Sequence, residues 1–280
     1  MKRIIDGAAY ASKIKSRVRS RVKRLTALGF RPGLATVSVG SDSASKLYLK
    51  LKQNACGEVG IYSEHFNLSS AAKQGDVLKL IGRLNSRPEV NGILVQLPLP
   101  KKFDVYEILA GISPEKDVDG FNPANIGRLA YSDESFAPAT SKGIIYLLEK
   151  TTNLEGKNVV IVNHSIVVGK PLALMLLNRN ATVEVCHVHT RNLGSHTREA
   201  DILVTAVGKP NLITASMVQK GAVVIDAGIS KKAGKVVGDV DFGGVQHKVK
   251  AITPVPGGVG PLTIAMLLQN TVSAAEFQYL

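Results

Sequence analysis

The chain has 280 residues, of which 45% are hydrophobic and 20% are charged, and its formal net charge is +13. This balance excludes a disordered chain, and no apolar run approaches the roughly eighteen residues of a membrane span. The positive charge favours anionic ligands, but the basic residues are spread along the chain and no nucleic-acid-binding pattern occurs, so we expect small anionic ligands and no nucleic acid.

The N-terminal segment meets Asp6 before an apolar stretch forms, so a secretory signal is not expected. The two cysteines, Cys56 and Cys186, are too few for a disulfide framework. We therefore expect a cytoplasmic protein that does not associate with membranes. Apolar residues on one face of residues 8–28 predict a long first helix.

The apolar run 34–39 predicts a strand, and the predicted helix after it carries Tyr48 and Lys52. These two residues lie one helical turn apart and project from a single face, while Leu47, Leu51 and Ala55 form an apolar row expected to anchor the helix. Taken alone, the pair is either a solvated lysine beside a half-buried tyrosine or two groups that share a cleft at the carboxyl end of a strand.

A helix is predicted for residues 76–84 and a buried strand for 92–96, which ends at Leu97-Pro98-Leu99-Pro100. The prolines stop the strand and leave Gln96 at its end, either bonded to loop backbone or facing a ligand. Further on, Asp117 and Asp119 would point in opposite directions on an extended backbone, so at most one of them is expected to face a given cleft.

The pattern changes near residue 139, where we predict a domain boundary. After it, apolar runs predict parallel strands at 158–162, 182–186, 202–206 and 222–226, joined by crossovers such as residues 168–177. Residues 263–277 predict an amphipathic helix that returns to the first domain. The fold class is therefore α/β, with domains at 1–139 (completed by 263–280) and 140–262.

The turn after the strand 158–162 is placed where a dinucleotide fingerprint occurs, but of the usual three glycines only Gly169 is present. No acidic residue follows the strand 182–186 to bind a ribose hydroxyl, and basic groups stand there instead. This favours NADP over NAD.

Potential metal ligands crowd together at Cys186, His187, His189 and His196. On an extended strand Cys186 opposes His187 and His189, and no second pair of ligands has structural-zinc spacing, so no metal is expected. In the segment 252–261 three prolines stiffen the backbone while three glycines remove side chains, which favours a ligand-binding loop over a purely structural one.

Together these motifs resemble the bifunctional methylenetetrahydrofolate dehydrogenase/cyclohydrolase family. The resemblance is carried, in family order, by Ser45-x-x-Tyr48-x-x-x-Lys52-x-x-x-Cys56, Gly92-Ile93-Leu94-Val95-Gln96-Leu97-Pro98-Leu99-Pro100, Lys116-Asp117-Val118-Asp119-Gly120, Gly208-Lys209-Pro210 and residues 252–261. It implies a folate-binding α/β domain, a Rossmann-like NADP-binding domain and an active-site cleft between them.

The resemblance implies that 5,10-methylenetetrahydrofolate is oxidised to the methenyl cation, which is then hydrolysed to 10-formyltetrahydrofolate as part of one-carbon metabolism. It assigns ring stacking to Tyr48, the essential cyclohydrolase amine to Lys52, positioning of that amine to Gln96 and pterin binding to Asp119. It also places Pro256, Gly257 and Gly258 where folate and nicotinamide meet.

The chain departs from the family on the cofactor side. Asn163-His164-Ser165 stands where Gly-Arg-Ser is usual, and Val188 stands where serine is common. Arg191, His164 and His189 are candidates to replace the lost phosphate contacts, and Ile229 is a further cofactor candidate. NADP is expected, and NAD is left open.

The family implies a homodimer. Two other functions are left open by the altered cofactor segment: a single-activity cyclohydrolase with changed cofactor use, and a folate or nucleotide sensor without turnover. The intact Lys52 and Gln96 argue against the sensor, because a binding module has no need of that amine.

Overall fold

A computed structural model of the protein describes residues 3–40, 43–232 and 234–279. The helix that contains Tyr48 is described from residue 43, and its side chains from residue 48. The side chains of Ser45 and Leu47, which belong to the predicted motif and apolar row, therefore lie outside the described part.

The described secondary structure alternates between strands and helices, as the sequence patterns predict. The strands are β1 (Arg3–Ile4), β2 (Gly33–Val39), β3 (Tyr62–Leu68), β4 (Gly92–Val95), β5 (Asn158–Val162), β6 (Thr182–Cys186), β7 (Ile202–Thr205), β8 (Val223–Asp226), β9 (Ser230–Lys232), β10 (Lys235–Val237) and β11 (Ala251–Ile252). The helices are α1 (Gly7–Ala27), α2 (Ser43–Val59), α3 (Gln74–Asn85), α4 (Val105–Ala110), α5 (Pro123–Ala130), α6 (Ala139–Glu149), α7 (Gly169–Leu177), α8 (Leu193–Thr197), α9 (Phe242–Val245) and α10 (Val259–Tyr279).

The chain divides into two compact units. One comprises Ser12–Ala139 and Ile264–Leu280 and is called here the three-stranded unit, and the other comprises Met1–Ala11 and Thr140–Thr263 and is called the six-stranded unit. This division differs from the expected one in the first eleven residues. They go with the second unit because β1 pairs in parallel with β11, through Ile4 opposite Ile252.

The three-stranded unit is built on a parallel sheet in the order β3-β2-β4. The central strand is apolar, and its Leu34, Ala35 and Val37 are fully buried. The edge strand β3 is largely polar and half-exposed, which is why an apolar run did not reveal it. The sheet places the carboxyl ends of β2 and β4 side by side, next to the start of α2 and to the residue after β4.

The last helix returns to the three-stranded unit. In α10 the side-chain amide of Asn270 donates hydrogen bonds to the carbonyl oxygens of Val118 (2.9 Å) and Ala137 (3.1 Å). The prediction of an amphipathic helix is wrong, because apolar residues are buried around the whole circumference. They include Ala265, Met266, Leu267, Leu268, Val272, Ala274 and Ala275. A helix that is apolar on all sides is an interior helix.

The six-stranded unit contains a parallel sheet in the order β1-β11-β8-β7-β5-β6. The bounds of β5 and β6 are those predicted, and β7 and β8 are each one residue shorter than predicted. Its core consists of apolar side chains such as Val160, Leu203 and Val224. The short strands β9 and β10 pair antiparallel with each other.

Among the described residues, we find no helix that combines the length and the apolar character needed to cross a bilayer.

Candidate active site

Helix α2 carries Lys52 on its buried face. Leu49, Cys56 and Val59 form that face, and Lys52 lies among them with 8% of its surface exposed. The predicted anchoring row is wrong in this respect, because Leu51 is 44% exposed whereas Leu49 is buried. The register of the helix therefore turns the lysine inward, away from solvent, and the solvated-lysine interpretation does not hold.

Gln96 accepts a hydrogen bond from the lysine and is itself held by the backbone. Its backbone N–H donates to the carbonyl of Val37 (2.8 Å), which continues the β2–β4 pairing, and its side-chain amide donates to the carbonyl of Leu97 (2.7 Å). The amide orientation leaves Oε1 as an acceptor, and Lys52 Nζ donates to it over 3.2 Å. Gln96 therefore binds loop backbone, as one of the two interpretations of the sequence predicts, and it binds the lysine at the same time.

The two aspartates of the segment after α4 have different environments. Asp117 is 1% exposed and accepts hydrogen bonds from the backbone N–H groups of Gly120 (3.0 Å) and Asn122 (2.7 Å) and from the Asn125 amide (3.0 Å). Asp119 instead interacts electrostatically with Lys52. Asp117 thus shapes the loop, and Asp119 is the aspartate whose charge acts on the amine.

Burial controls the charge of this pair. It lowers the pKa of Lys52, while the negative charge of Asp119 acts in the opposite direction. Burial likewise raises the pKa of Asp119, against the effect of the Lys52 charge. Burial also raises the pKa of Cys56, one helical turn after Lys52, to about 12, so that side chain remains a thiol. The site therefore holds an amine that can lose its proton more readily than a surface lysine.

Tyr48 stands one turn before the lysine on α2. Its side chain is half-buried, and burial raises the pKa of its phenol, so the ring is neutral and partly open to a ligand. An aromatic face beside a desolvated amine and a carboxylate can bind a flat, polar ring and move a proton near it.

In the six-stranded unit, Asn163 shapes the turn between β5 and α7. Its side-chain nitrogen donates to the carbonyl of Ala206 (2.6 Å), and its side-chain oxygen accepts from the backbone N–H groups of Ser165 (2.8 Å) and Gly169 (3.0 Å) and from the Ser165 hydroxyl (2.8 Å). A Cβ at position 169 would overlap the Asn163 carbonyl. The turn thus needs the one glycine that the fingerprint retains.

Three exposed imidazoles gather at the carboxyl ends of β5 and β6. The His164 and His187 ring centroids are 5.0 Å apart, and those of His187 and His189 are 5.9 Å apart. The backbone N–H of His189 donates to Nδ1 of His187 (3.2 Å), which fixes the position of that ring. Arg191 is exposed in the same loop.

Two apolar candidates for the cofactor are exposed as well. Val188 follows β6 and is 81% exposed, and Ile229 follows β8 and is 44% exposed. Both belong to loops at the carboxyl edge of the parallel sheet, the edge at which α/β proteins bind nucleotides.

The four potential metal ligands identified in the sequence, Cys186, His187, His189 and His196, fall into two separate groups in the structure. Cys186 faces Glu184 and His196, and the ligand atoms of these three residues lie within 4.8 Å of one another, whereas His187 and His189 stack with His164. His196 Nδ1 contacts a carboxylate oxygen of Glu184, and its Nε2 lies 3.2 Å from the Arg191 carbonyl. These polar partners account for His196, and we assign no metal to the trio.

The loop between β11 and α10 is shorter than predicted, because Val259 already begins the helix. Gly257 has a φ of +106°, a conformation that favours glycine, and its carbonyl accepts a hydrogen bond from Ala8 N–H (3.0 Å). A Cβ on Gly258 would lie 2.6 Å from the Pro254 carbonyl oxygen. The two glycines thus let Pro256 and its neighbours form a tight loop.

Sequence reasoning missed one polar pair. Asp226 and Asp239 are both buried in the six-stranded unit, at the carboxyl edge of its sheet. A signal was present, since Asp226 ends the apolar run Val223-Val224-Ile225 and Asp239 lies in the polar and glycine-containing segment Gly238-Asp239. A charged residue that ends a buried strand is costly unless it is paired or hydrogen-bonded.

In a comparison with known proteins, two domain models of one family match the chain, one in each half. The family described as tetrahydrofolate dehydrogenase/cyclohydrolase, catalytic domain, matches residues 5–119, and the corresponding NAD(P)-binding domain matches residues 138–279. The bifunctional protein FolD of Moorella thermoacetica is 53% identical over 275 residues, which cover 98% of each chain.

Solved structures give the same result. The bifunctional methylenetetrahydrofolate dehydrogenase/cyclohydrolase FolD of Campylobacter jejuni has a TM-score of 0.96 and 46% identity, with 98% of each chain covered. The Trypanosoma brucei enzyme complexed with NADP cofactor and an inhibitor has a TM-score of 0.94 and 35% identity, over 98% of this chain and 97% of that one. The chain therefore belongs to the tetrahydrofolate dehydrogenase/cyclohydrolase family and is a two-domain α/β enzyme of that family, with a catalytic and an NAD(P)-binding domain.

Proposed function

We propose that this chain oxidises 5,10-methylenetetrahydrofolate with NADP and hydrolyses the methenyl product to 10-formyltetrahydrofolate, with Lys52 as the amine of the second step. The observation that carries the proposal is the buried Lys52 amine, which is held by Gln96 and interacts electrostatically with Asp119. A binding module would gain nothing from an amine whose pKa burial lowers, because a neutral amine is a weaker partner for an anion.

In the hydrolysis step, water adds to the methenyl carbon and loses a proton, which leaves a neutral cyclic adduct. The bond from this carbon to one of its two nitrogens then breaks, and that nitrogen takes up the proton of the new hydroxyl group, which gives the formyl product. A neutral Lys52 can accept the proton that the water loses, and the positive charge of the methenyl group lowers its pKa further by repelling the ammonium form. Gln96 fixes the position of Nζ through the 3.2 Å hydrogen bond. Asp119 can pair with the N–H edge of the pterin, and Tyr48 can stack on its rings.

In the oxidation step, the methylene carbon gives up a hydride and the adjacent nitrogens stabilise the resulting cation. The nicotinamide, when bound, supplies the hydride acceptor, so the protein needs no strong base and chiefly positions the reactants. We assign this positioning on the folate side to Pro256, Gly257 and Gly258. In this tight loop Pro256 is exposed and Gly257 is partly exposed, and neither glycine carries a side chain that would keep a flat ligand away from the backbone.

The residues of the six-stranded unit fit a dinucleotide. The turn shaped by Asn163 sets the amino end of α7 at the carboxyl edge of β5, and the absence of a Cβ at Gly169 keeps this turn close to the sheet. Asn163 and Ser165 act through the turn, because the Ser165 backbone N–H and hydroxyl both donate to the Asn163 side chain. We assign Ile229 to packing against the cofactor from the neighbouring loop.

NADP is proposed over NAD because imidazoles and a guanidinium take the place of the acidic residue that binds the ribose hydroxyls of NAD. His164, His187 and His189 form one cluster at the ends of β5 and β6, beside Arg191 and Val188. We expect adenosine 2′,5′-bisphosphate to bind more tightly than adenosine 5′-monophosphate, and His164→Ala to reduce that preference. Equal affinities for the two nucleotides would contradict the choice of NADP.

The decisive experiment supplies the purified protein with methylenetetrahydrofolate and NADP, then with NAD, and separately with methenyltetrahydrofolate. We expect turnover of both folates. Lys52→Met should abolish hydrolysis of the methenyl compound, whereas Lys50→Met, an exposed lysine on the same helix, should leave it unchanged. Hydrolysis by Lys52→Met above background would refute the role of the amine.

The same assay distinguishes the other functions. Turnover of methenyltetrahydrofolate alone would identify a single-activity cyclohydrolase, and turnover of neither folate would identify a sensor. We further propose that the protein is cytoplasmic and that it forms a homodimer. Light scattering of the purified chain would test the dimer through its molar mass.

A further inference from the structure

We propose that the buried carboxyl groups of Asp226 and Asp239, called here the carboxyl pair, position the loops that hold the nicotinamide end of the dinucleotide. The inference rests on the proposed dinucleotide function and adds two positioning residues to it. Both side chains are almost fully buried, with 3% and 0% of their surface exposed.

Asp239 organises the loop that follows β7. One of its oxygens accepts hydrogen bonds from the Thr205 hydroxyl (2.8 Å) and the Val207 backbone N–H (2.6 Å), and the other accepts from the Lys209 N–H (2.7 Å). A single carboxylate thus holds the end of the strand and two residues of the loop. Among side chains of this size, only an ionised aspartate has two oxygens that both accept hydrogen bonds and donate none.

Asp226 does the same for the loop that follows β8. Its oxygens accept from the backbone N–H groups of Gly228 (2.9 Å), Asp239 (3.1 Å) and Val240 (2.9 Å). Its own backbone N–H donates to the Thr253 hydroxyl (2.7 Å), at the start of the loop that contains Pro256. The carboxyl pair therefore connects three loops on one edge of the sheet.

The backbone approaches both carboxyl groups so closely that a residue with a side chain would not fit beside either of them. A Cβ at Gly228 would overlap the Asp239 carboxyl group, and a Cβ at Gly238 would overlap that of Asp226. Two glycines thus permit the backbone to approach the carboxyl groups closely, as is typical of a position where a polar group must receive several N–H donors.

The sheet order places these loops at the nicotinamide end. In a doubly wound sheet the adenosine ribose lies at the end of the second strand, here β6, and the pyrophosphate lies at the β5–α7 turn. Strands β7 and β8 lie on the other side of β5, so the remainder of the dinucleotide extends over their carboxyl ends. Val207 and Ile229, which are 42% and 44% exposed, are presented there by the loops that the carboxyl pair holds.

Asp239→Asn tests the inference in the full chain. The amide keeps the shape of the side chain but turns one acceptor into a donor that faces backbone N–H groups. We expect the KM for NADP in the dehydrogenase assay to rise about ten-fold or more, since small displacements of positioning groups have large effects. Hydrolysis of methenyltetrahydrofolate, measured without cofactor, should stay within about two-fold, because its residues belong to the three-stranded unit.

A matched control is Asp201→Asn. Asp201 also accepts a backbone hydrogen bond, from Asn158 N–H (3.0 Å), but at the amino end of β5, so the KM for NADP should not change. A purely structural role of the carboxyl pair would lower both activities in the same proportion. That outcome, or an unchanged KM for NADP, would overturn the inference.

If Asp239→Asn does not fold, Thr205→Val takes its place, because it removes one donor to Asp239 without changing the volume of the side chain. It should raise the KM for NADP less strongly while leaving hydrolysis intact, and an unchanged KM would overturn the inference. Dehydrogenase turnover by the unsubstituted protein reports on the proposed function separately, so the two hypotheses fail in different measurements.

Discussion

The Lys52 amine donates a hydrogen bond of 3.2 Å to the side-chain oxygen of Gln96, which is 44 residues further along the chain. This bond joins helix α2 to the end of strand β4 and fixes the position of a buried amine. Gln96 is itself fixed, because its amide nitrogen donates to the Leu97 carbonyl (2.7 Å). The position of the amine thus depends on one oriented side-chain amide.

Gln96→Leu should lower the rate of methenyltetrahydrofolate hydrolysis by roughly 10- to 100-fold, because Nζ of Lys52 loses its fixed position. The substitution keeps the size of the side chain, so the fold should be retained. Steady-state kinetics provide the measurement, and Gln53→Leu, on the same helix as Lys52, is the control. A rate within about two-fold of that of the unsubstituted protein would argue against a positioning role.

The hydrolysis rate should rise with pH until Lys52 is deprotonated and then stay constant, because only the neutral amine accepts a proton. The charge of Asp119 favours the protonated amine, so Asp119→Asn should lower the pKa of Lys52 and move the rising limb to lower pH. The pH dependence of kcat at saturating folate gives the measurement. A shift to higher pH would contradict the electrostatic coupling.

Asp117→Asn should destabilise the protein by about 1–3 kcal/mol, because the amide cannot accept all three hydrogen bonds that the carboxyl group receives. Burial raises the pKa of Asp117 to about 6, so its contribution to stability is fully present below the ordinary aspartate pKa near 4 and is lost as pH rises through about 6.

The difference in the free energy of unfolding between the unsubstituted protein and Asp117→Asn should therefore be largest at low pH. Urea unfolding at a series of pH values from about 4 to 7 measures it. A difference that grows with pH would show that the folded state favours the ionised carboxylate instead.

Gly169→Ala should weaken NADP binding by about ten-fold or more, because the added methyl group displaces the turn held by Asn163. Calorimetric titration with NADP measures the effect. Gly127→Ala is the control, since nothing lies within 4 Å of an added Cβ on this exposed residue of α5. It should stabilise the protein by about 0.5–1 kcal/mol. Unchanged NADP affinity in Gly169→Ala would mean that the turn does not bind the cofactor.

Several elements could be predicted from the sequence because their signals are local. Buried parallel strands appear as apolar runs, and β5 and β6 have the predicted bounds for that reason. The spacing of Tyr48 and Lys52 follows from the helical repeat. A polar edge strand shows no apolar run, which explains why β3 was not predicted. The strand β1 has two residues and is too short to show any periodicity.

By itself, the sequence determined the α/β class, the order of the motifs and the residue types that the chemistry needs. Only the tertiary structure decided which of two neighbouring aspartates couples electrostatically to Lys52, that Leu49 anchors α2 while Leu51 is exposed, and that Asp226 and Asp239 join three loops. The physical reason is that backbone geometry fixes the spacing of neighbours along the chain. Burial, hydrogen bonding and electrostatic coupling depend instead on which distant segments come together.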